Sequence, residues 1–194
     1  AQKAKLPPDH PATLLSMNHL AGAYEAAGKL DQALPLYEQT LAARKANLGP
    51  DHSDTLVSMG NLAGAYQAAG KLDRALPLYE QTLAAFKAKL GPDHPNTLLS
   101  MSNLAFGYHA VGKLDLALPL FDQAATGIEK LRFQHEYADM ILSNTITAFE
   151  KARQFDKAET WRRKWLAVVK ERSRADSLPY AGELAALGSN LLQQ

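Results

Sequence analysis

The sequence has no cysteine, so disulfides and thiolate metal sites are excluded from the start. It has no apolar run approaching the roughly 20 residues a membrane span requires, and its opening residues, AQKAKL, show no signal-peptide pattern. It also lacks a charge of one sign: 21 Lys and Arg stand against 20 Asp and Glu, a formal +1. On that balance no nucleic-acid partner is expected and a membrane partner is disfavoured. No glycine-rich phosphate loop is present, because the glycines punctuate turns. The neutrality conceals one asymmetry. Residues 151–174 carry nine Lys/Arg and three Asp/Glu, a local +6, so the rest of the chain sums to −5.

What the 194 residues do contain is repetition. LGPDHPNTLLSMSNLA at 90–105 follows LGPDHSDTLVSMGNLA and LPPDHPATLLSMNHLA at intervals of 42 residues. Residues 11–52 and 53–94 match at 33 of 42 positions, a third copy occupies 95–134, and a degenerate fourth spans 135–176. A fixed period of this size predicts a solenoid, in which each unit buries its apolar face against its neighbours. The flanks read as parts of further copies. AQKAKL, within residues 1–10, matches the tail of a second helix, and 177–194 reads as a first helix without its partner. On this reading the sequence is one solenoid excerpt from a longer protein.

Each copy predicts two helices. In the second copy Met59, Leu62, Ala63 and Tyr66 fall at i, i+3, i+4 and i+7, one helical face. Gly70 ends that helix, because glycine accepts the left-handed conformation after a last turn. The partner helix is expected to start near Asp73 as N-cap, with Pro77 near its first turn. Ala75, Leu78, Tyr79, Thr82 and Leu83 form its expected buried stripe. Tyr24, Tyr66 and Tyr108 are expected in equivalent buried places.

Small Ala63 beside bulky Leu62 and Tyr66, followed by Ala75, resembles the knob-and-hole set of the tetratricopeptide repeat. The 42-residue period and the words LGPDHP and NLAxxY resemble its kinesin light chain type, over nearly the whole chain. The resemblance implies an all-α, right-handed superhelical solenoid of antiparallel helix pairs. It also implies a cytoplasmic, non-enzymatic protein-interaction scaffold with no cofactor. Similar arrays occur in large bacterial proteins, some of which carry a Ser/Thr kinase domain, although no kinase motif stands here. Copy four departs from the pattern: Arg153 replaces the turn glycine, Arg162 an expected aromatic, and Thr145-Ile146 the Leu-Ala pair.

The changed letters point to a binding face. With Met59 as position 4 of the first helix, positions 2, 5, 6, 9 and 12 lie opposite the packing face. In the tetratricopeptide architecture that side lines the concave groove. Four of the nine differences between copies one and two fall there: Leu15/Val57, Asn18/Gly60, His19/Asn61 and Glu25/Gln67. Copy three continues with Leu99, Ser102, Phe106 and His109. The scaffold is held while this face is rewritten, and an extended peptide is the expected ligand. Asn18, Asn61, Asn103 and Asn144 are candidates for holding its backbone, since an amide both donates and accepts. The competing reading has them bonding to neighbouring helices or water. Gly22 and Gly64 leave the face shallow, whereas Phe106 fills it and reads either as an aromatic anchor or as a contact with the next helix.

Other candidate chemistry dissolves into the repeat. His10, His52 and His94 occupy equivalent loop positions, too far apart to share one zinc, and read as loop hydrogen-bonding residues. Asp31, Asp73, Asp115 and Asp156 read as helix starts rather than catalytic acids. GNLAG at 60–64 fits a membrane helix-dimer pattern, but its helix is neither long nor apolar enough. In WRRKW at 161–165, Trp161 aligns with core leucines and Trp165 with Thr40, Thr82 and Ala124. Arg162, Arg163 and Lys164, with Lys170, Arg172 and Arg174, are candidates for a basic face toward an acidic partner or anionic membrane; the plainer reading is a solvated helix surface. Three readings therefore compete: a peptide-binding groove, an adaptor acting through the basic fourth copy, and a regulatory segment of a larger signalling enzyme. Leu184, Leu187 and Leu191 on one uncovered face add an expectation of weak self-association through the open ends.

Overall fold

The computed structural model describes residue 7 and residues 9–172. The expectations for residues 1–6, Arg174 and the helix at 177–194, self-association included, lie outside the described residues. Eight helices follow in order: α1 (Pro11–Ala26), α2 (Leu30–Leu48), α3 (Ser53–Ala68), α4 (Leu72–Leu90), α5 (Pro95–Ala110), α6 (Leu114–Lys130), α7 (Ala138–Lys151) and α8 (Phe155–Arg172). Among the described residues no strand occurs. The chain divides into two compact units, Ala1–Gly91 with α1–α4 and Pro92–Gln194 with α5–α8.

The repeated loop words start the first helices by an unexpected route. Nδ1 of His10, His52 and His94 accepts a hydrogen bond from the backbone N–H two residues on, at 3.2 Å in each case. These histidines stand at the N-cap, where a side-chain acceptor satisfies an otherwise orphaned N–H. At the other end the N–H of Lys29, Lys71 and Lys113 returns to the carbonyl of Tyr24, Tyr66 and Tyr108. The intervening Gly28, Gly70 and Gly112 take φ of +71°, +71° and +76°, a glycine-centred helix stop. Arg153 takes the same conformation at φ +58°, so copy four keeps the turn without its glycine.

Two details of the second helices differ from expectation. Their N-caps are Lys29, Lys71 and Lys113, which make no capping side-chain bond. Asp31, Asp73 and Asp115 lie two residues further on, within the first turn, where a carboxylate interacts favourably with the positive end of the helix dipole. Pro35, Pro77 and Pro119 consequently fall inside the helix, and each removes one i→i−4 hydrogen bond.

Within the first unit α2 packs on α1 and α3, and α3 on α4. Ala21, Ala33, Ala63 and Ala75 have no exposed surface, so the backbones approach closely at those crossings. Leu56, Met59, Leu62 and Tyr66 fill the space between them. Tyr24 and Tyr108 are only half-buried, unlike Tyr66, whose hydroxyl donates to Glu38 on α2 while Arg74 covers its ring. In α4 Ala75, Tyr79 and Thr82 are buried as expected, but Leu78 and Leu83 only partly, and Phe86 completes the stripe. In the second unit the core is Phe121, Ile128, Ile141, Leu142 and Phe149. Thr145, where the repeat has leucine, is fully buried and reaches the Ile141 and Phe121 carbonyls at 2.7 and 3.2 Å.

Candidate functional site

In the first unit the face opposite the packing stripe is formed by α1 and α3. Leu15 and Val57, both at position 2, are 48% and 40% exposed. Asn61 donates from Nδ2 to Oδ1 of Asn18 at 3.2 Å, so these two amides bond to each other across the helices. Each keeps further donor and acceptor capacity, since one such bond uses one of an amide's several sites. Gln67 is half-buried, with its Oε1 out of contact with solvent and without a hydrogen-bond partner among the described residues. Glu25 accepts from the Tyr37 hydroxyl at 2.9 Å. Burial, then the Glu25 bond and its charge, push the Tyr37 pKa far up, and burial with the same carboxylate does so for Tyr79.

The glycines on this face have a structural partner. A Cβ on Gly22 would stand 3.4 Å from the Tyr37 hydroxyl, and one on Gly64 3.6 Å from the Tyr79 hydroxyl. Each glycine thus leaves room above a tyrosine from the second helix of its own pair. In the second unit both members change together: Phe106 replaces the glycine and Phe121 the tyrosine. Phe106 is 46% exposed and Phe121 buried.

The second unit brings three of the expected residues to one place. Phe106, His109 and Asn144 line a small cavity of about 60 Å³, with Phe121 and Ala148 also in its wall and Thr147 and Lys151 completing it. Asn144 Nδ2 lies 3.5 Å from the Ser102 hydroxyl, again a contact between neighbouring first helices. Leu99 and Asn103 are half-buried and do not line this cavity. Lys151 was not singled out from sequence; it stands one residue past position 12, just outside the pattern used to define the face.

The residues of the candidate basic face are arranged differently from expectation. Arg162 is buried, and its Nη2 pairs with Glu150 at 2.8 Å. Arg163 pairs with Glu159 at 2.6 Å, and Lys164 with Glu129 at 2.7 Å while lying over the Trp161 ring. The three cations therefore point to three acidic partners rather than forming one free surface. Trp161 and Trp165 are both buried: Trp161 donates to Asp122 at 2.9 Å, and Trp165 is accommodated against Phe133 at 6.2 Å. Alongside Asp122 lies a wider cleft of about 500 Å³, walled by Leu114, Leu118, Pro119 and Lys157. At the corresponding place in the first unit Glu38 and Tyr66 are joined, whereas here Asp122 is shorter and Phe149 has no hydroxyl. Among the described residues no three His, Asp or Glu side chains gather as metal ligands, and no helix is long and apolar enough to cross a membrane.

Comparison with known proteins agrees with this architecture. The tetratricopeptide repeat family model matches residues 11–88 and 54–130. A Podospora anserina protein assigned to the kinesin light chain type, with nearly identical TPR-like repeats, superposes with a TM-score of 0.80 at 28% identity, covering 95% of this chain and 90% of that one. A single-substitution variant of that protein gives 0.80 at 26% identity, with 98% and 91% covered. BtubC (BKLC) of P. vanneervenii shares the fold with a TM-score of 0.69 at 22% identity, over 86% of this chain and 68% of that one. No curated protein matches in sequence.

Proposed function

The chain belongs to the tetratricopeptide repeat family, a family of protein-interaction scaffolds, and from that premise we propose that it binds an extended peptide segment along its first helices without catalysing a reaction. The observation that carries this reading is the cavity in the second unit. Phe106 and His109 on α5, marked by their variation between copies, and Asn144 on α7, marked as an amide, line one opening. Its apolar floor and polar rim suit a small side chain whose backbone is held at the edge. Leu15 and Val57 offer exposed apolar contact in the first unit, and the Asn18–Asn61 pair keeps amide sites for a peptide backbone.

A displayed random-peptide library selected on the chain tests the reading. Asn61→Ala should weaken a selected peptide only several-fold, since one hydrogen bond contributes about 0.5–1.5 kcal/mol. Combining it with Phe106→Ala should weaken binding far more. Peptides that bind this double variant as tightly as the parent, yet release when Arg162, Arg163 and Lys164 are neutralised, would replace the groove by the basic fourth repeat.

A further inference from the structure

The proposed binding face has an unspent carboxylate in its first unit. Of the ten residues at positions 2, 5, 6, 9 and 12 of α1 and α3, Glu25 is the only acidic or basic one apart from His19. Tyr37 donates to its Oε2 and thereby fixes the carboxylate in place. The other oxygen, Oε1, is turned toward Gly64: a Cβ there would lie 3.9 Å from it.

Tyr79 approaches the same point from below. Its side chain is only 5% exposed, but among the described residues its hydroxyl makes no hydrogen bond, and it lies 3.6 Å from the place a Gly64 Cβ would take. A buried ring that ends in an unpartnered hydroxyl beneath a missing side chain leaves a polar group unused unless water or a ligand meets it. Carboxylate, hydroxyl and opening converge on one spot. In the second unit Phe106 and Phe121 stand where Gly64 and Tyr79 stand in the first, so that position carries a side chain and offers no hydroxyl.

We propose that Glu25 Oε1, the Tyr79 hydroxyl and the opening over Gly64 form a site for a lysine or arginine side chain of the bound segment. The cation donates to Glu25 Oε1 and to the phenolic oxygen, which has a free lone pair, and its aliphatic stem crosses the gap that glycine leaves. Charge selects the occupant: a carboxylate held by one neutral donor on an otherwise uncharged face is complementary to a cation and repels an acidic residue. The site rests on the groove reading for the segment that delivers the side chain, but its chemistry can be probed without that segment.

The test is a nuclear magnetic resonance titration of the nitrogen-labelled full chain with N-acetyl-arginine methylamide, and in parallel with the neutral citrulline counterpart. The arginine probe should produce saturable shifts at the amides of Glu25, Gly64 and Tyr79, with the citrulline probe weaker by about tenfold or more. Glu25→Gln still accepts from Tyr37 and should fold as the parent does, but it should abolish the preference for arginine. Gly64→Leu should remove the shifts by filling the opening. Equal binding of the two probes, an arginine preference that survives Glu25→Gln, or no saturable shift at these amides would overturn the proposal. Its failure is distinguishable from failure of the groove. Library peptides that depend on Phe106 and Asn61 while the arginine probe ignores Glu25 would leave the groove standing and remove this site. An arginine probe seated on Glu25, with peptides indifferent to Phe106 and Asn61, would do the reverse.

Discussion

The two units use the same helix layout and hold it together differently. In the first, Tyr37 bonds to Glu25, Tyr66 to Glu38, and Arg44 donates from α2 to the Asp54 carbonyl and the Ser58 hydroxyl on α3. Its glycine turns adopt left-handed φ without strain. In the second unit Arg162, Lys164 and Lys130 form ion pairs with Glu150, Glu129 and Asp93. Trp161 and Trp165 fill what smaller side chains fill elsewhere, and Arg132, Phe133 and Arg153 take positive φ where no glycine is present. Where the repeat is faithful, the histidine caps and the glycine-centred helix stops recur by periodicity. Where it has decayed, individually fitted pairs replace them, and the backbone conformation is kept at the cost of strain.

The strongest test of that contrast asks whether the cores are equivalent despite the different links. Leu62→Ala in the first unit and its counterpart Leu104→Ala in the second should each cost about 2–5 kcal/mol, as truncations of buried leucines. Urea unfolding monitored by circular dichroism measures both. A loss under about 0.5 kcal/mol at either site, an effect typical of an exposed residue, would show that the wrong helix face has been placed inside.

One position should respond to opposite exchanges with the same sign. A Cβ on Gly127 would meet Leu98 Cδ2 at 2.2 Å and Cδ1 at 2.8 Å, and Leu98 is only 1% exposed. Gly127→Ala should therefore destabilise by about 1–3 kcal/mol through overpacking. Ala85, one 42-residue period earlier, already carries a Cβ, and Ala85→Gly should cost about 1 kcal/mol of helix propensity. If Gly127→Ala is neutral or stabilising in urea, the Leu98 side chain yields and the second unit is looser than described.

Alkaline pH should separate the units by chemistry. Tyr37 and Tyr79 have folded-state pKa values raised above the ordinary value of about 10, chiefly by burial, and Phe121 at the equivalent place cannot ionise. The folded state retains these protons more tightly than the unfolded chain. Their contribution is thus fully present below pH 10 or so and is lost as pH rises from there through the folded pKa. Each such tyrosine costs up to about 1.4 kcal/mol per pH unit over that window. Replacing both by phenylalanine should flatten the fall in unfolding free energy between pH 10 and 11. An unchanged slope would assign the loss to Tyr66 and Tyr137, whose pKa values are also raised.

The smallest effect concerns the turns. Arg153→Gly should stabilise by about 1 kcal/mol by removing the left-handed penalty, and Gly70→Ala should destabilise by a similar amount. Thermal melts of the two variants should shift in opposite directions. Equal and negligible shifts would mean that the turn carries no strain in either unit.

The helix pairs, their turns and the packing face were legible because they rest on short-range periodicity that is kept closely in the first three copies. The first-helix caps were not, since histidine is not a preferred N-cap and only its Nδ1 geometry reveals the role. The ion pairs of the fourth repeat were hidden for a different reason. Arg162 finds Glu150 and Lys164 finds Glu129 on other helices, so a local charge count reads as a basic face what the fold largely compensates. Within the candidate site, variation between copies pointed to Phe106 and His109 and amide chemistry to Asn144, and the three line one cavity. It did not point to Tyr79, which is invariant between the first two copies and becomes informative only once its hydroxyl is placed beneath Gly64.

Arg44 also bears on how the chain finds its own register. Residues 11–52 and 53–94 share 33 of 42 letters, so α2 and α4 present almost the same surface to α3 during folding. Phe86 stands on α4 where α2 has Arg44. If α4 took the seat of α2, a benzyl group would replace the guanidinium, and the fully buried Ser58 hydroxyl would lose its donor at 2.8 Å. A mispaired intermediate is thereby penalised at this position, in a protein whose duplicated segments otherwise invite helix-pairing errors of the kind that trap repeat proteins on the way to the native state. Arg44 acts as an address label, telling two nearly synonymous helices apart.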